Sequence, residues 1–312
     1  MTGESFHIPV LYREVIEALQ PRDGASYVDC TVGAGGHAEG ILEAAGPRAR
    51  LLGLDADPDA LAIARQRLAR FGGRVELVNV NFRFLAGTAR DTGFTLADGV
   101  LFDLGLSSMQ LDRSPRGFSF QREQPLDMRF DPRQTLTAED IVNDAGELEL
   151  RRMLYEYGEE SRGAAIARAI VRRRSKKRIE TTKDLAEIVA GVLGPKRGGR
   201  HSATKTFQAL RIAVNEELQS LREALPQALE ILATGGRLAV ISFHSLEDRI
   251  VKEFMRHEAS QCICPPGLPV CVCGKQATLR LVSKKPILPS PEEVERNPRA
   301  RSAKLRVAEK IV

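Results

Sequence analysis

Residues 27–37, YVDCTVGAGGH, followed by residues 53–58, GLDADP, constrain the fold more than any other stretch of this chain. Tyr27, Val28 and Cys30 belong to an apolar, β-prone run. Gly33, Gly35 and Gly36 then break it, and Ala38, Ile41, Leu42 and Ala45 resume at helical spacing. The order is strand, glycine turn, helix. Glycine suits such a turn because the backbone must reverse tightly and let a ligand approach without Cβ atoms in the way. A second apolar run, residues 51–54, closes on Asp55, about 20 positions after Gly35, where a carboxylate can accept hydrogen bonds from ribose hydroxyls. The unit predicts an α/β sheet that binds an adenosine-containing cofactor.

Two cofactor classes fit the turn. Gly33-Ala34-Gly35-Gly36-His37-Ala38 satisfies the relaxed G-x-G-x-x-A pattern of nicotinamide-binding folds. Asp29 argues for the other class. A pyrophosphate brought to the turn would be repelled by a carboxylate just ahead of it. S-adenosylmethionine has no phosphate and carries a positive sulfonium and α-amino group, so an acid there is favourable.

The 312 residues suffice for two domains, or for one domain with an insertion, and 43% hydrophobic content supports a real core. The first ten residues, MTGESFHIPV, lack a basic segment followed by an apolar one, and no apolar run reaches membrane-spanning length. The expectation is a cytoplasmic protein with no membrane partner.

Along the chain, Leu11, Val15, Ile16 and Leu19 mark a short helix stopped by Pro21, and Asp57 caps another with Pro58 at its first position. Residues 75–80 read as a third strand, with Phe82 just beyond it. That ring is placed to lie against an adenine or to serve as an ordinary core residue. Residues 99–104, GVLFDL, read as a fourth strand delivering Asp103 to the edge that holds Asp29 and Asp55. Strand-like runs then stop until residues 237–242, after a break at Gly235-Gly236. Helical patterning from residue 137 to about 218 predicts a helical domain, residues 113–216, inserted into an α/β domain of residues 1–112 and 217–312. Residues 162–211 hold 14 Lys and Arg against 3 Asp and Glu. Stretches such as RRRSKKR (172–178) and PKRGGRH (195–201) suit phosphate contact, and a solvated helix face is the alternative.

Past the fifth strand, His244 leads into a helix expected to be capped by Ser245. Cys262, Cys264, Cys271 and Cys273 form C-x-C-x6-C-x-C. Clustered thiols suggest zinc before disulfides, yet C-x-C is tighter than the usual zinc-knuckle pair, and the spacing alone assigns no metal. Residues 303–308 are strand-like and are expected to close the sheet as an edge, bringing Arg299 and Arg301 near a polyanion.

HxPVL from His7, VDCTVGAGGH, GLDADP, DGVLFDLGLSS-x-QLD, RGFSF, PLDMR, ISFHSLEDRIVK and NPRARSAKLR occur in that order between His7 and Lys310. Together they resemble the bacterial small-subunit ribosomal RNA methyltransferase H family, also called MraW. The resemblance implies a class I S-adenosylmethionine-dependent methyltransferase sheet, Rossmann-like, with an inserted helical substrate domain. It implies methylation of N4 of a cytidine in 16S ribosomal RNA, in the decoding region of the small ribosomal subunit. It maps the methyl-donor site onto Gly35, Gly36, His37, Asp55, Phe82, Asp103 and Gln110. Position at the end of the fourth strand and its acceptor oxygens make Asp103 the catalytic candidate, with Ser107, Ser108 and His244 in reserve. The residues by themselves leave open a nicotinamide-dependent oxidoreductase and a non-catalytic RNA-binding assembly factor, and either a monomer or a homodimer.

Overall fold

The computed structural model describes residues 9–112, 114–194, 201–265 and 272–312. His7, Arg113, residues 195–200 of the second basic stretch, residues 266–270 and Cys271 lie outside the described residues. The chain separates into two compact units, Met1–Gly105 with Leu218–Val312, and Leu106–Glu217.

In the first unit, seven strands among the described residues form one sheet. They are β1 (Ser26–Asp29), β2 (Arg50–Asp55), β3 (Val75–Asn79), β4 (Ala97–Asp103), β5 (Leu232–Ser242), β6 (Leu279–Leu281) and β7 (Lys304–Lys310). Their order is β3-β2-β1-β4-β5-β7-β6, with β1 to β5 parallel and β7 antiparallel to both of its neighbours. This is the Rossmann-like α/β sheet that the glycine turn predicts.

Parallel strands covered on both faces send alternate side chains into two cores. Val28, Leu52, Leu54, Val100, Phe102, Leu238 and Val240 enter one, with the helices Leu85–Asp91, Glu217–Ile231 and Ser245–Ala259 contributing to it. Tyr27, Leu51, Leu101, Ala239 and Ile241 enter the other, beneath Tyr12–Leu19, Gly36–Ala45 and Pro58–Leu68. Strand order reverses between β1 and β4, which pair directly, and the crevice beyond such a reversal is where ligands bind in open α/β sheets.

Two strand expectations need correction. Gly235-Gly236 does not precede the fifth strand but lies inside β5. The register with β4 slips there, Ala97 pairing with Leu232 and Gly99 with Arg237, and Gly235 takes φ +81° to make the bulge. The C-terminal strand is not the edge either. β7 is interior, and β6, only three residues long, forms the edge beyond it. Arg299 and Arg301 sit in the short 3-10 turn Pro298–Ser302, both exposed.

The second unit is helical: Ser108–Asp112, Ala138–Asp144, Glu147–Glu156, Gly163–Arg174, Thr182–Leu193 and Thr204–Asn215. Thr137 and Asp140 form a reciprocal capping box, and Thr181 caps the helix that opens at Thr182. Its irregular segment is held by polar ties. Arg116 donates to the carbonyls of Arg129 and Phe130 at 3.0 and 2.7 Å, and Asn215 Oδ1 accepts the Phe130 N–H at 2.8 Å. Gly117, at φ +74°, leaves no room for a side chain, because a Cβ would stand 2.1 Å from the Pro125 carbonyl oxygen. The RGFSF and PLDMR motifs therefore brace each other. No helix among the described residues is long and apolar enough to cross a membrane.

Candidate functional site

Because β1, β2 and β4 run in one direction, Asp29, Asp55 and Asp103, the last residue of each, come to the same edge of the sheet. Asp55 turns towards the glycine loop. Its carboxylate accepts the N–H of Gly33 at 2.8 Å and of Asp57 at 2.9 Å, while Asn79 donates to the Asp55 and Ala56 carbonyls.

The glycines of the turn have local reasons. Gly35 takes φ +82° as it starts the helix Gly36–Ala45, a conformation that disfavours any side chain. Gly36 is enclosed, and a Cβ there would lie 2.5 Å from Pro9 Cγ. Packing of the protein against itself thus accounts for these two. His37 follows, 5% exposed and stacked on Tyr12 with ring centroids 6.3 Å apart. Burial, with Arg67 adding to it, pushes its imidazole down to about 4, so the ring is neutral at physiological pH.

Asp29 and Asp103 carry the site's unusual electrostatics. Asp29 is 1% exposed and accepts the Thr31 N–H at 3.2 Å. Burial, aided by the charge of Asp55, raises its carboxyl to about 7. Asp103 is tied to the same turn, its N–H donating to Thr31 Oγ1 at 2.6 Å. Burial, then Asp29 and Glu247, raise its carboxyl to about 8. Its Oδ2 lies 3.7 Å from His37 Nε2, a contact to a neutral ring rather than an ion pair. Its Oδ1 is buried without a hydrogen-bond partner in the protein. A group of carboxyls kept from ionising by burial and by one another favours a ligand that brings positive charge or N–H donors. A phosphate in the same place would meet repulsion.

Glu247, which sequence reasoning did not select, completes the group. It is 2% exposed and accepts the N–H groups of Phe243 at 2.8 Å and His244 at 3.3 Å. The helix Ser245–Ala259 is consequently capped by His244, not Ser245, with His244 Nδ1 accepting the Glu247 N–H at 3.4 Å. The signal available beforehand was the glutamate three places after the cap.

The other expected residues sit as follows. Phe82 starts a 3-10 turn after β3, partly buried, with its ring edge-on to Phe102 at 5.6 Å between centroids. Gln110 belongs to the helical unit, where its Oε1 accepts the Ser107 N–H at 3.0 Å and its own N–H donates to Ser107 Oγ at 3.2 Å. Gly35, Gly36, His37, Asp55 and Asp103 thus share one strand edge and its turn, with Phe82 past the end of the neighbouring β3.

A sequence model described as the MraW methylase family matches residues 4–311. The Ribosomal RNA small subunit methyltransferase H of Thermomicrobium roseum is 54% identical over 305 residues, covering 98% of this chain and 94% of that one. The protein of the same name from Heliobacterium modesticaldum is 52% identical over 308 residues, covering 98% of each. Among solved structures, an rRNA methylase from Streptococcus thermophilus aligns at 13% identity with a TM-score of 0.43, covering 96% of this chain and 94% of that one.

Proposed function

The chain belongs to the MraW methylase family, and on that premise we propose that it is an S-adenosylmethionine-dependent methyltransferase acting on N4 of a cytidine in 16S ribosomal RNA, in the cytoplasm. The observation that carries the reading is the cluster of Asp29, Asp103 and Glu247 beside the glycine turn, with two carboxyls raised and Asp103 Oδ1 unpartnered. The cofactor's positive groups fit such a cluster, and Asp55 offers acceptor oxygens to a ribose. The expected donor-binding set is Gly35, Gly36, His37, Asp55, Phe82, Asp103 and Gln110.

Bound S-adenosylmethionine supplies the methyl group as an electrophile. The chain's own part is to hold the amine and manage its proton. The exocyclic amine of cytosine is a weak nucleophile because its lone pair is delocalised into the ring. Asp103 accepts a hydrogen bond from this amine, and that bond strengthens as the nitrogen becomes positive. A carboxyl raised to about 8 gives up its own proton when the cationic donor binds, and the ionised Asp103 then takes up the proton that the amine loses as its nitrogen is methylated. Burial first, then repulsion from Asp29 and Glu247, raise it in the free protein. His37, neutral and buried, adds no competing positive charge. The basic helical unit supplies phosphate contacts for the RNA.

The test is methyl transfer from labelled donor to small ribosomal subunits lacking the modification, with the product nucleoside identified by mass spectrometry. N4-methylated cytidine is expected. Label on another base or position overturns the assignment, and absence of transfer with intact donor binding favours an RNA-binding assembly role.

A further inference from the structure

Apart from the carboxylate cluster, Cys262, Cys264 and Cys273 also converge. They lie in the segment joining the helix Ser245–Ala259 to the edge strand β6. Their Sγ atoms fall within 4.8 Å of one another, and those of Cys262 and Cys273 are 3.9 Å apart. A disulfide would hold its sulfurs at about 2.05 Å. Tetrahedral zinc, with Zn–S bonds of about 2.3 Å, sets its sulfurs about 3.8 Å apart along an edge of the tetrahedron. The Cys262–Cys273 separation is far too long for a disulfide and close to the second spacing, with Cys264 Sγ within 4.8 Å of both.

The backbone turns towards the same sulfurs. The N–H of Ile263 points at Cys273 Sγ and that of Cys264 at Cys262 Sγ, both at 3.4 Å, and the N–H of Val272 at Cys264 Sγ at 3.5 Å. A neutral thiol is a weak acceptor, whereas N–H donors aimed at thiolates disperse the charge that three of them concentrate. Among the described residues between the cysteines, the apolar Ile263 and Val272 are 51% and 79% exposed. Its base is fixed separately. Glu258 accepts from Thr278 Oγ1 at 2.6 Å and from Lys275 Nζ at 3.3 Å, and its carbonyl accepts the Thr278 N–H at 2.8 Å. A loop tied at its base, with its described apolar side chains exposed, is where a metal cross-link adds order.

We propose that Cys262, Cys264 and Cys273 bind one structural Zn²⁺ through three thiolates, pinning this loop beside the sheet edge. Each thiol gives up its proton to solvent as the metal binds. An all-sulfur donor set selects zinc over magnesium or calcium. The C-x-C spacing alone assigns no metal, because the loop's fold, not the spacing, brings Cys273 to the first pair.

The full chain, purified under reducing conditions without chelator, is expected to be colourless and to carry about one equivalent of zinc. Cys262→Ser and Cys273→Ser should lose most of it, while Cys30→Ala, altered in the sheet core, keeps it. Protein stripped of metal and titrated with Co²⁺ should develop thiolate-to-cobalt charge-transfer absorption that Cys273→Ser lacks. The substituted residues lie on a surface loop, so circular dichroism should match the wild type. The proposal is overturned by a folded wild-type chain with neither bound zinc nor a cobalt band, by equal metal content in the serine variants, by bound iron, or by a mapped disulfide joining Cys262 to Cys273.

Discussion

The carboxylate of Asp55 accepts the backbone N–H of Gly33 at 2.8 Å, so the acid that closes β2 holds the turn that follows β1. The same carboxylate reaches the Asp57 N–H at 2.9 Å, just ahead of the helix Pro58–Leu68. The glycine turn and the start of that helix are therefore coupled through one side chain, the one proposed to hold the donor's ribose.

Asp55→Ala is expected to weaken S-adenosylmethionine binding by about 1.5–3 kcal/mol, the scale of lost charge-assisted hydrogen bonds. It should also lower stability by about 1 kcal/mol, because the Gly33 and Asp57 amides lose their acceptor. Calorimetric titration and urea unfolding check the two effects separately. Unchanged donor affinity removes Asp55 from the site.

Asp103→Asn keeps the volume and one acceptor oxygen but not the charge. If Asp103 only held the donor, saturating donor would restore the rate. Single-turnover transfer is instead expected to stay depressed by about two orders of magnitude at saturation, the usual scale for one lost transition-state partner. Near-wild-type turnover would leave Asp103 a donor ligand, and Ser107, Ser108 and His244 would be tested next.

Asp29 and Asp103 keep their protons to about 7 and about 8 in the folded chain, against about 3.9 for an ordinary aspartate. The folded state then holds more protons than the unfolded state between about pH 4 and about pH 8, and the unfolding free energy falls as pH rises through that window. Urea unfolding across the window should show this decline, with a shallower slope for Asp103→Asn. A cationic donor should release protons on binding near pH 7, which calorimetry in buffers of different ionisation heat detects. Binding without proton release would contradict the raised carboxyls.

In the basic run the structure separates structural from available charge. Arg174 donates to the Val142 carbonyl at 2.9 Å, Arg173 lies 3.4 Å from Asp184, and Arg178 pairs with Glu139 at 2.7 Å. Arg172, Lys176 and Lys177 are exposed. Replacing these three with Gln is expected to lower RNA affinity and flatten its salt dependence by about three counterions, leaving donor binding unchanged. Equal affinity across a salt series would make the run a solvated face.

The α/β pattern was legible because its signals are local. Tyr27, Val28 and Cys30 before a glycine turn, and apolar runs ending in Asp55 and Asp103, need only neighbouring residues to be read. Parallel strands then bring their last residues to one edge whatever else the chain does. The capping of Ser245–Ala259 by His244 was within reach of the same logic, through Glu247 three places on. Strand order was not. β6 has three residues, and the pairing that makes β7 interior joins positions far apart in the chain. The ionisation of Asp29 and Asp103 was equally out of reach, since it depends on how far packing excludes water and how near Glu247 comes. Sequence alone determined which residues stand at the strand ends and in the turn. Tertiary structure decided which are buried together, and so which carboxyls keep a proton and which cysteine sulfurs meet, because desolvation and distance act through space and not along the chain.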